Sequence, residues 1–221
     1  MSSPPYSLAE RLGWGIDELG LTLPAAAPRQ LLDYLKQLQK WNQTYNLSGI
    51  KDMAQMLDLH ILDSLTLIPY IDADRIADVG SGAGLPGIPL AICYPEKNFF
   101  LIDSNSKKTR FIFQTAALLG LRNVEVIHSR VEDYASNLQV AIVTSRAFAS
   151  LADFVNGCQH LLAEDIDGSG KFLAMKGHVD DAEIQALPRQ FTVAACHRLT
   201  IPGTSLTRNL IEIRRSSLTK V

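Results

Sequence analysis

Ala77-Asp78-Val79-Gly80-Ser81-Gly82-Ala83-Gly84-Leu85-Pro86-Gly87 joins a β-type run, Arg75-Ile76-Ala77, to a helix-type run, Ile88-Pro89-Leu90-Ala91-Ile92-Cys93. Glycines at alternate positions remove the Cβ atoms that would stop a backbone folding tightly beneath a ligand. Pro86 suits the first turn of a helix, where no amide hydrogen is needed. A strand, a glycine turn and a helix N-terminus together form a floor for a nucleotide-like cofactor.

The turn fits two patterns. Gly82-x-Gly84-x-x-Gly87 matches the dinucleotide fingerprint, a weak signal alone. The longer string Asp78-x-Gly80-x-Gly82-x-Gly84 matches better the first motif of S-adenosylmethionine-dependent methyltransferases, because an acid precedes the glycines at the strand end. S-adenosylmethionine carries a sulfonium, an ammonium and a carboxylate, and no pyrophosphate. A carboxylate at Asp78 beside backbone amides suits that mixed charge and would repel a pyrophosphate.

The chain has 221 residues, enough for one domain with a real core. Its 47% hydrophobic and 20% charged residues are those of a globular protein. A net charge of −2 gives no global sign of nucleic-acid binding, so any such partner must be held by local basic clusters. Cys93, Cys158 and Cys196 lie far apart without a C-x-x-C pair, which argues against a zinc site or a disulfide framework, and no metal is expected. No signal-peptide pattern and no apolar run of membrane length occurs, so the expectation is a cytoplasmic monomer.

The first 70 residues read as a helical extension before a methyltransferase domain over 71–221. Helical spacing runs from Tyr6 to Leu19, from Arg29 to Trp41 (Leu31, Leu32, Leu35, Leu38 and Trp41 on one stripe) and from Asp52 to Ile68. Between the last two, Asn42 to Ile50 leaves the helix. After the glycine turn, strands and helices alternate: Phe99–Ile102, Val124–Ile127, Val140–Val143 and Lys171–Met175 read as strands, with helices over Lys107–Leu119 and Leu151–Leu162. Phe191–Leu199 and Leu210–Ile213 read as a closing hairpin about Pro202-Gly203-Thr204. The fold class is therefore α/β, a Rossmann-like sheet of parallel strands ending in an antiparallel hairpin.

Asp103 stands at the end of the second strand, about twenty residues past the glycines, where an acid accepts both hydrogen bonds of a ribose diol. It would serve a dinucleotide equally well, and a helix cap ahead of Lys107 is the plainer alternative. After the third strand, Val131 can cover an adenine ring while Glu132 meets its exocyclic amine; Glu132 would also suit the start of a short helix. The fourth strand ends in Thr144-Ser145-Arg146-Ala147-Phe148-Ala149-Ser150. It lacks the Asn-Pro-Pro-Tyr pattern of exocyclic amine methylation and the Pro-Cys of pyrimidine carbon-5 methylation. Guanine N7 has a lone pair and no hydrogen, so its methylation needs alignment and electrostatics more than a base. Arg130, Arg146 and Lys176 follow strands that share one sheet edge and can face one ligand, a solvated basic rim being the alternative. His60, Asp63 and Ser64 share a helix face, with docking against the cofactor loop or a plain polar patch both open.

At these residues the chain resembles the bacterial small-subunit ribosomal RNA methyltransferase G family, also called glucose-inhibited division protein B. The matching strings are Trp41-Asn42-x-x-Tyr45-Asn46-Leu47, His60-x-Leu62-Asp63-Ser64-Leu65, Asp78 through Leu90, Asp103-Ser104-x-x-Lys107-Lys108, Ser145 through Ser150 and Met175-Lys176-Gly177. The resemblance implies methyl transfer from S-adenosylmethionine to N7 of a guanine near the decoding site of 16S ribosomal RNA, naked or in a small-subunit precursor. It implies cofactor contacts at Gly80, Leu85, Val131, Glu132 and Arg146, joining Asp78, Gly82 and Asp103 from the residue-level reading. It implies RNA or active-site roles for Arg130, Arg146, Lys176 and Arg208, with Arg146 and Lys176 orienting the target base. A small-molecule methyltransferase or an NAD-dependent dehydrogenase is the competing reading on this fold. Two departures stand out: Ser48-Gly49-Ile50 after Leu47, and a long acidic turn from Ala163 to Gly170.

Overall fold

The computed structural model describes residues 7–134, 138–146, 148–163 and 170–216. Most of the acidic turn, residues 164–169, and Ala147 of the Arg146 motif lie outside them. Seven strands form one sheet: β1 (Arg75–Val79), β2 (Asn98–Asp103), β3 (Val124–His128), β4 (Ile142–Ser145), β5 (Lys171–Lys176), β6 (Phe191–Thr200) and β7 (Thr207–Arg215), in the order β3-β2-β1-β4-β5-β7-β6. Pairing is parallel from β3 through β5, while β7 runs antiparallel to both β5 and β6. The sheet therefore has its parallel part doubly wound about β1, with the hairpin inserted so that β7, not β6, meets β5.

Strand alternation sorts the side chains onto two cores. Ile76, Phe99, Leu101, Ile142, Leu173 and Met175 face one layer, with Leu12, Leu31, Leu35, Leu38, Ile61, Ile88 and Phe111. Ala77, Val79, Phe100, Ile102, Val143, Phe172 and Ala174 face the other, with Leu151, Phe154 and Val155. The first layer holds α1 (Leu8–Glu18), α2 (Ala27–Tyr45), α5 (Gly87–Cys93) and α6 (Ser106–Leu119); the second holds α7 (Leu151–Cys158). The N-terminal helices thus pack against α5 and α6 on the same face of the sheet and share their core. Tyr34 of α2 is fully buried, and its hydroxyl donates to the Ala83 carbonyl in the glycine turn at 2.8 Å.

Four local features differ from the sequence pattern. Helix α2 runs to Tyr45 because Asn42 is not a helix breaker here: its side chain accepts from Ser48 N and donates to Ile50 O, folding the next loop back onto the helix. The helix expected over Asp52–Ile68 is broken into α3 (Met53–Met56), a π-helical turn (Leu57–Leu62), α4 (Asp63–Leu65) and a 3-10 turn (Ile68–Tyr70). The fourth strand begins two residues late, since Val140 forms only an isolated bridge with Leu162. A short α8 (Asp181–Gln185), capped by Asp180, was not visible in the hydrophobic pattern.

Candidate active site

The glycine turn is pinned from both sides. Gly80, Gly82 and Gly84 have φ of 67°, 60° and 83°, a region that other residues enter at a cost. A Cβ on Gly84 would lie 2.6 Å from Ile88 Cγ1, so that position needs the bare backbone twice over. Gly80 N donates to Ile102 O at 2.8 Å, and Gly82 N donates to Asp103 Oδ2 at 2.8 Å, tying the turn to the end of β2. The other Asp103 oxygen accepts from Asn105 N at 2.8 Å, and Asn105 in turn caps α6.

A cavity of about 410 Å³ opens over this turn, walled by Gly80, Asp103, Asn105, Lys108, Arg130, Val131, Glu132 and Phe148, among others. It brings together Gly80, Asp103, Val131 and Glu132 as the sequence reading placed them. Each Asp103 oxygen keeps a second acceptor direction after holding one backbone amide, as a diol requires. Val131 is buried and Glu132 exposed, so a flat apolar wall stands beside an acid. Leu85 and Gly82 are not in the wall; Leu85 is buried in the core, and Gly82 acts by holding Asp103.

Asp78 has a different place from an open ligand carboxylate. It is fully buried, and its Oδ2 accepts from Gly87 N at 2.9 Å, fixing the start of α5. Its Oδ1 is buried without a hydrogen-bond partner. Burial pushes its carboxyl up to about 7, against the opposing pull of the Gly87 amide and of Arg146. A buried orphan acceptor under the turn is what a cationic group bound above it would relieve.

The cations on the other flank form a second cluster. Arg146, at the end of β4, has its Nη1 3.3 Å from Asp63 Oδ2, an ion pair without hydrogen-bond alignment. Arg208 of β7 donates from Nε to Asp63 Oδ1 at 3.1 Å. Lys176, at the end of β5, donates from Nζ to Glu183 Oε1 at 2.5 Å and to Ala149 O at 2.7 Å. Arg146 and Lys176 line one narrow crevice with Phe148, and Phe148 also walls the larger cavity. Arg130 lies on the larger cavity and not in that crevice, so the three cations expected on one ligand are divided between two flanks. The hydroxyls of Thr144 and Ser145 are committed to the sheet, donating to Leu173 O at 3.0 Å and Val79 O at 2.7 Å. His60 is held neutral: burial, then Arg146, lowers it to about 4, and its Nε2 lies 2.7 Å from Ser48 Oγ.

Residues 27–211 match the family model described as rRNA small subunit methyltransferase G. The chain is 46% identical over 218 residues to the ribosomal RNA small subunit methyltransferase G of Pseudomonas aeruginosa, covering 98% of this chain and 100% of that one. It is 46% identical over 202 residues to the protein of the same name from Marinobacter nauticus, covering 91% and 92%. The chain belongs to this family. Among solved structures, it is similar to a ribosomal protein L11 methylase from Lactobacillus delbrueckii (TM-score 0.52, 17% identity, 70% and 77% covered). It is also similar to M. jannaschii TYW2 in complex with AdoMet (TM-score 0.50, 14% identity, 71% and 76% covered), and both likenesses speak to the fold. The protein is thus an S-adenosylmethionine-dependent rRNA methyltransferase, with a mixed sheet of the methyltransferase kind. No helix among the described residues is long and apolar enough to cross a membrane.

Sequence reasoning did not single out the groups that hold the site residues. Asn105, Lys108 and Phe148 wall the cavity; the first two lie in or beside the Asp103 motif, so the motif itself was the available signal. Glu183 receives both Lys176 and the Leu151 amide, and nothing in the local sequence marks it. Asp63 was noticed only as part of a polar helix face, whereas its partners come from β4 and β7.

Proposed function

We propose that this family member methylates N7 of a guanine in 16S ribosomal RNA. The observation that carries the reading is the Arg146 cluster beside the cofactor cavity, with the nearby hydroxyls and His60 unfit to remove a proton. In this assignment Asp103 accepts from the ribose, Val131 and Glu132 meet the adenine, and the glycine turn with Asp78 beneath it receives the methionine portion. When bound, the cofactor supplies an electrophilic methyl on a sulfonium. The N7 lone pair would form the new bond while the pair of the methyl–sulfur bond would stay on sulfur, so no residue of this chain would need to accept a proton. Arg146 donating to O6 would align the base while leaving N7 clear.

Arg208 and Lys176 would meet phosphates flanking the target, and Arg130 would do so from the cofactor rim. The helices within residues 7–70 pack on α5 and α6 and supply Asp63 to the cation cluster, which supports the 1–70 extension as part of the RNA surface next to the 71–221 domain. The protein is taken to act as a cytoplasmic monomer. The test is to incubate it with labelled S-adenosylmethionine and either small subunits or bare 16S RNA, then map methylated nucleosides by mass spectrometry. The expected product is 7-methylguanosine at a single site, lost in cells lacking this protein. A methylated exocyclic amine or ribose would overturn the N7 assignment.

A further inference from the structure

Two aspartates border the π-helical turn, and they are partnered differently. Asp58 pairs with one guanidinium, Arg11, through Nε at 2.8 Å and Nη2 at 2.5 Å, one charge against one. Asp63 is fully buried and faces two, Arg146 at 3.3 Å and Arg208 at 3.1 Å. The pair of guanidiniums therefore carries a positive surplus that Asp63 cannot balance. Of the neighbouring groups, Tyr34 and His60 are neutral, and Asp78, a buried carboxyl pushed up to about 7, offsets the surplus only in part. The arginine side chains are 22% and 30% exposed, against 0% for Asp63. The carboxylate is thus shielded while both guanidiniums keep part of their surface open, and Arg146 also lines the narrow crevice beside Phe148. A guanidinium has five N–H donors, and Asp63 accepts one from Arg208 and meets Arg146 by charge alone.

The backbone places Asp63 deliberately. Its amide closes the wide turn by donating to Asp58 O, and Ser64 Oγ donates to His60 O at 2.6 Å. The residue inserted by a π turn rotates everything after it by about 100° about the helix axis. Without it, Asp63 would leave the face that meets β4 and β7.

The geometry points to Asp63 as a positioning residue that holds Arg146 and Arg208 together as a two-guanidinium receptor for one anion of the reactants. This rests on the proposed function, and the anion is either an RNA phosphodiester or the carboxylate of the methyl donor. Planar guanidiniums recognise oxyanions through paired N–H groups, and that fit is lost when their stems are free to turn. Holding both before the anion arrives removes the entropy of ordering them later.

Asp63→Asn keeps the size and an acceptor for Arg208 but removes the charge. We expect at least a tenfold loss in kcat/KM per folded enzyme. A weaker Kd for S-adenosylhomocysteine with unchanged KM for RNA assigns the clamp to the donor carboxylate; the reverse pattern assigns it to a phosphodiester. In an Arg146→Ala/Arg208→Ala background, the same substitution should leave both binding constants where they are. A fall in thermal stability alone, with kcat, KM and Kd unchanged, overturns the proposal and leaves Asp63 a structural tie. Should Asp63→Asn not fold, Arg208→Lys keeps the charge and loses the fork. It must weaken one of the same two constants, and no change in either rejects the clamp. Failure of the wild type to methylate 16S RNA would refute the proposed function, while the S-adenosylhomocysteine measurement would still read the clamp.

Discussion

The two flanks of the sheet's carboxyl edge are held in opposite ways. On the β2–β3 side, Asp103 is fixed by backbone amides two residues on and across one turn, Asn105 N and Gly82 N. On the β4–β5–β7 side, the cations are fixed by carboxylate side chains: Arg146 and Arg208 by Asp63 of the N-terminal segment, and Lys176 by Glu183, seven residues on. The first flank is built from the turns that follow β1, β2 and β3, with Tyr34 of α2 holding the glycine turn. The second exists only once the N-terminal segment, the sheet and the hairpin have all assembled. A cofactor of one shape suits the first; a large polyanion met by several elements suits the second. The boundary between them, from β1 to β4, is where strand order reverses and open α/β sheets bind ligands.

If that division is right, the largest effect should come from removing the cation nearest the reacting groups. Arg146→Ala should cut methyl transfer by about 10²–10³-fold, the scale of losing one preorganised donor in a dry site. A loss in kcat/KM of less than tenfold would mean that the basic flank binds RNA without aligning it.

Asp78 sits between the flanks, and its carboxyl feels Arg146 on one side and Asp103 on the other. Its folded pKa is about 7 against an ordinary 3.8, so between these values the folded chain holds a proton that the unfolded chain has released. Stability from this group therefore falls as pH rises from about 4 to about 7 and is level above, by at most about 1.4 kcal/mol per pH unit. His60, lowered to about 4, acts in the opposite sense over an overlapping window, so the wild-type profile alone is a poor readout. Asp78→Asn should instead gain on the wild type steadily as pH is raised across that window, in chemical unfolding without ligand. A constant difference would mean that Asp78 is ionised throughout.

On the cofactor flank, Asp103→Ala should weaken S-adenosylhomocysteine binding by about 1–3 kcal/mol, since it removes a charged acceptor and frees two amides. RNA affinity should not change. Parallel losses in both would show that the flanks are not separable.

How much of this was legible follows the same division. The strands β1 to β5, the glycine turn, Asp103 and Val131-Glu132 carry their signal in their own residues, and period-two alternation or a short motif exposes them. The π turn was not legible, because apolar spacing over Asp52–Ile68 fits an α-helix nearly as well as a widened one. Nor was the Asp63 cluster, where one partner lies 145 residues away in sequence. The length of α2 was missed because a buried Asn42 reads as a loop residue until its partners in the next loop are known.

Lys176 offers the smallest and most discriminating test. Its charge is already met by Glu183 at 2.5 Å and by a carbonyl of the β4–α7 loop, so RNA must draw it away from a partner that costs little to keep. The two side chains are only 15% and 16% exposed, so water does not readily replace either partner. Lys176→Ala should therefore leave S-adenosylhomocysteine binding unchanged, weaken RNA binding a few-fold and lower the salt dependence by about one phosphate contact. Glu183→Gln separates this from a structural role. It frees the lysine, so it should tighten RNA binding at low salt if Lys176 meets a phosphate. If both substitutions lower thermal stability alike and neither moves RNA affinity, the pair is a brace between β5 and α8, and the basic flank reduces to Arg146 and Arg208.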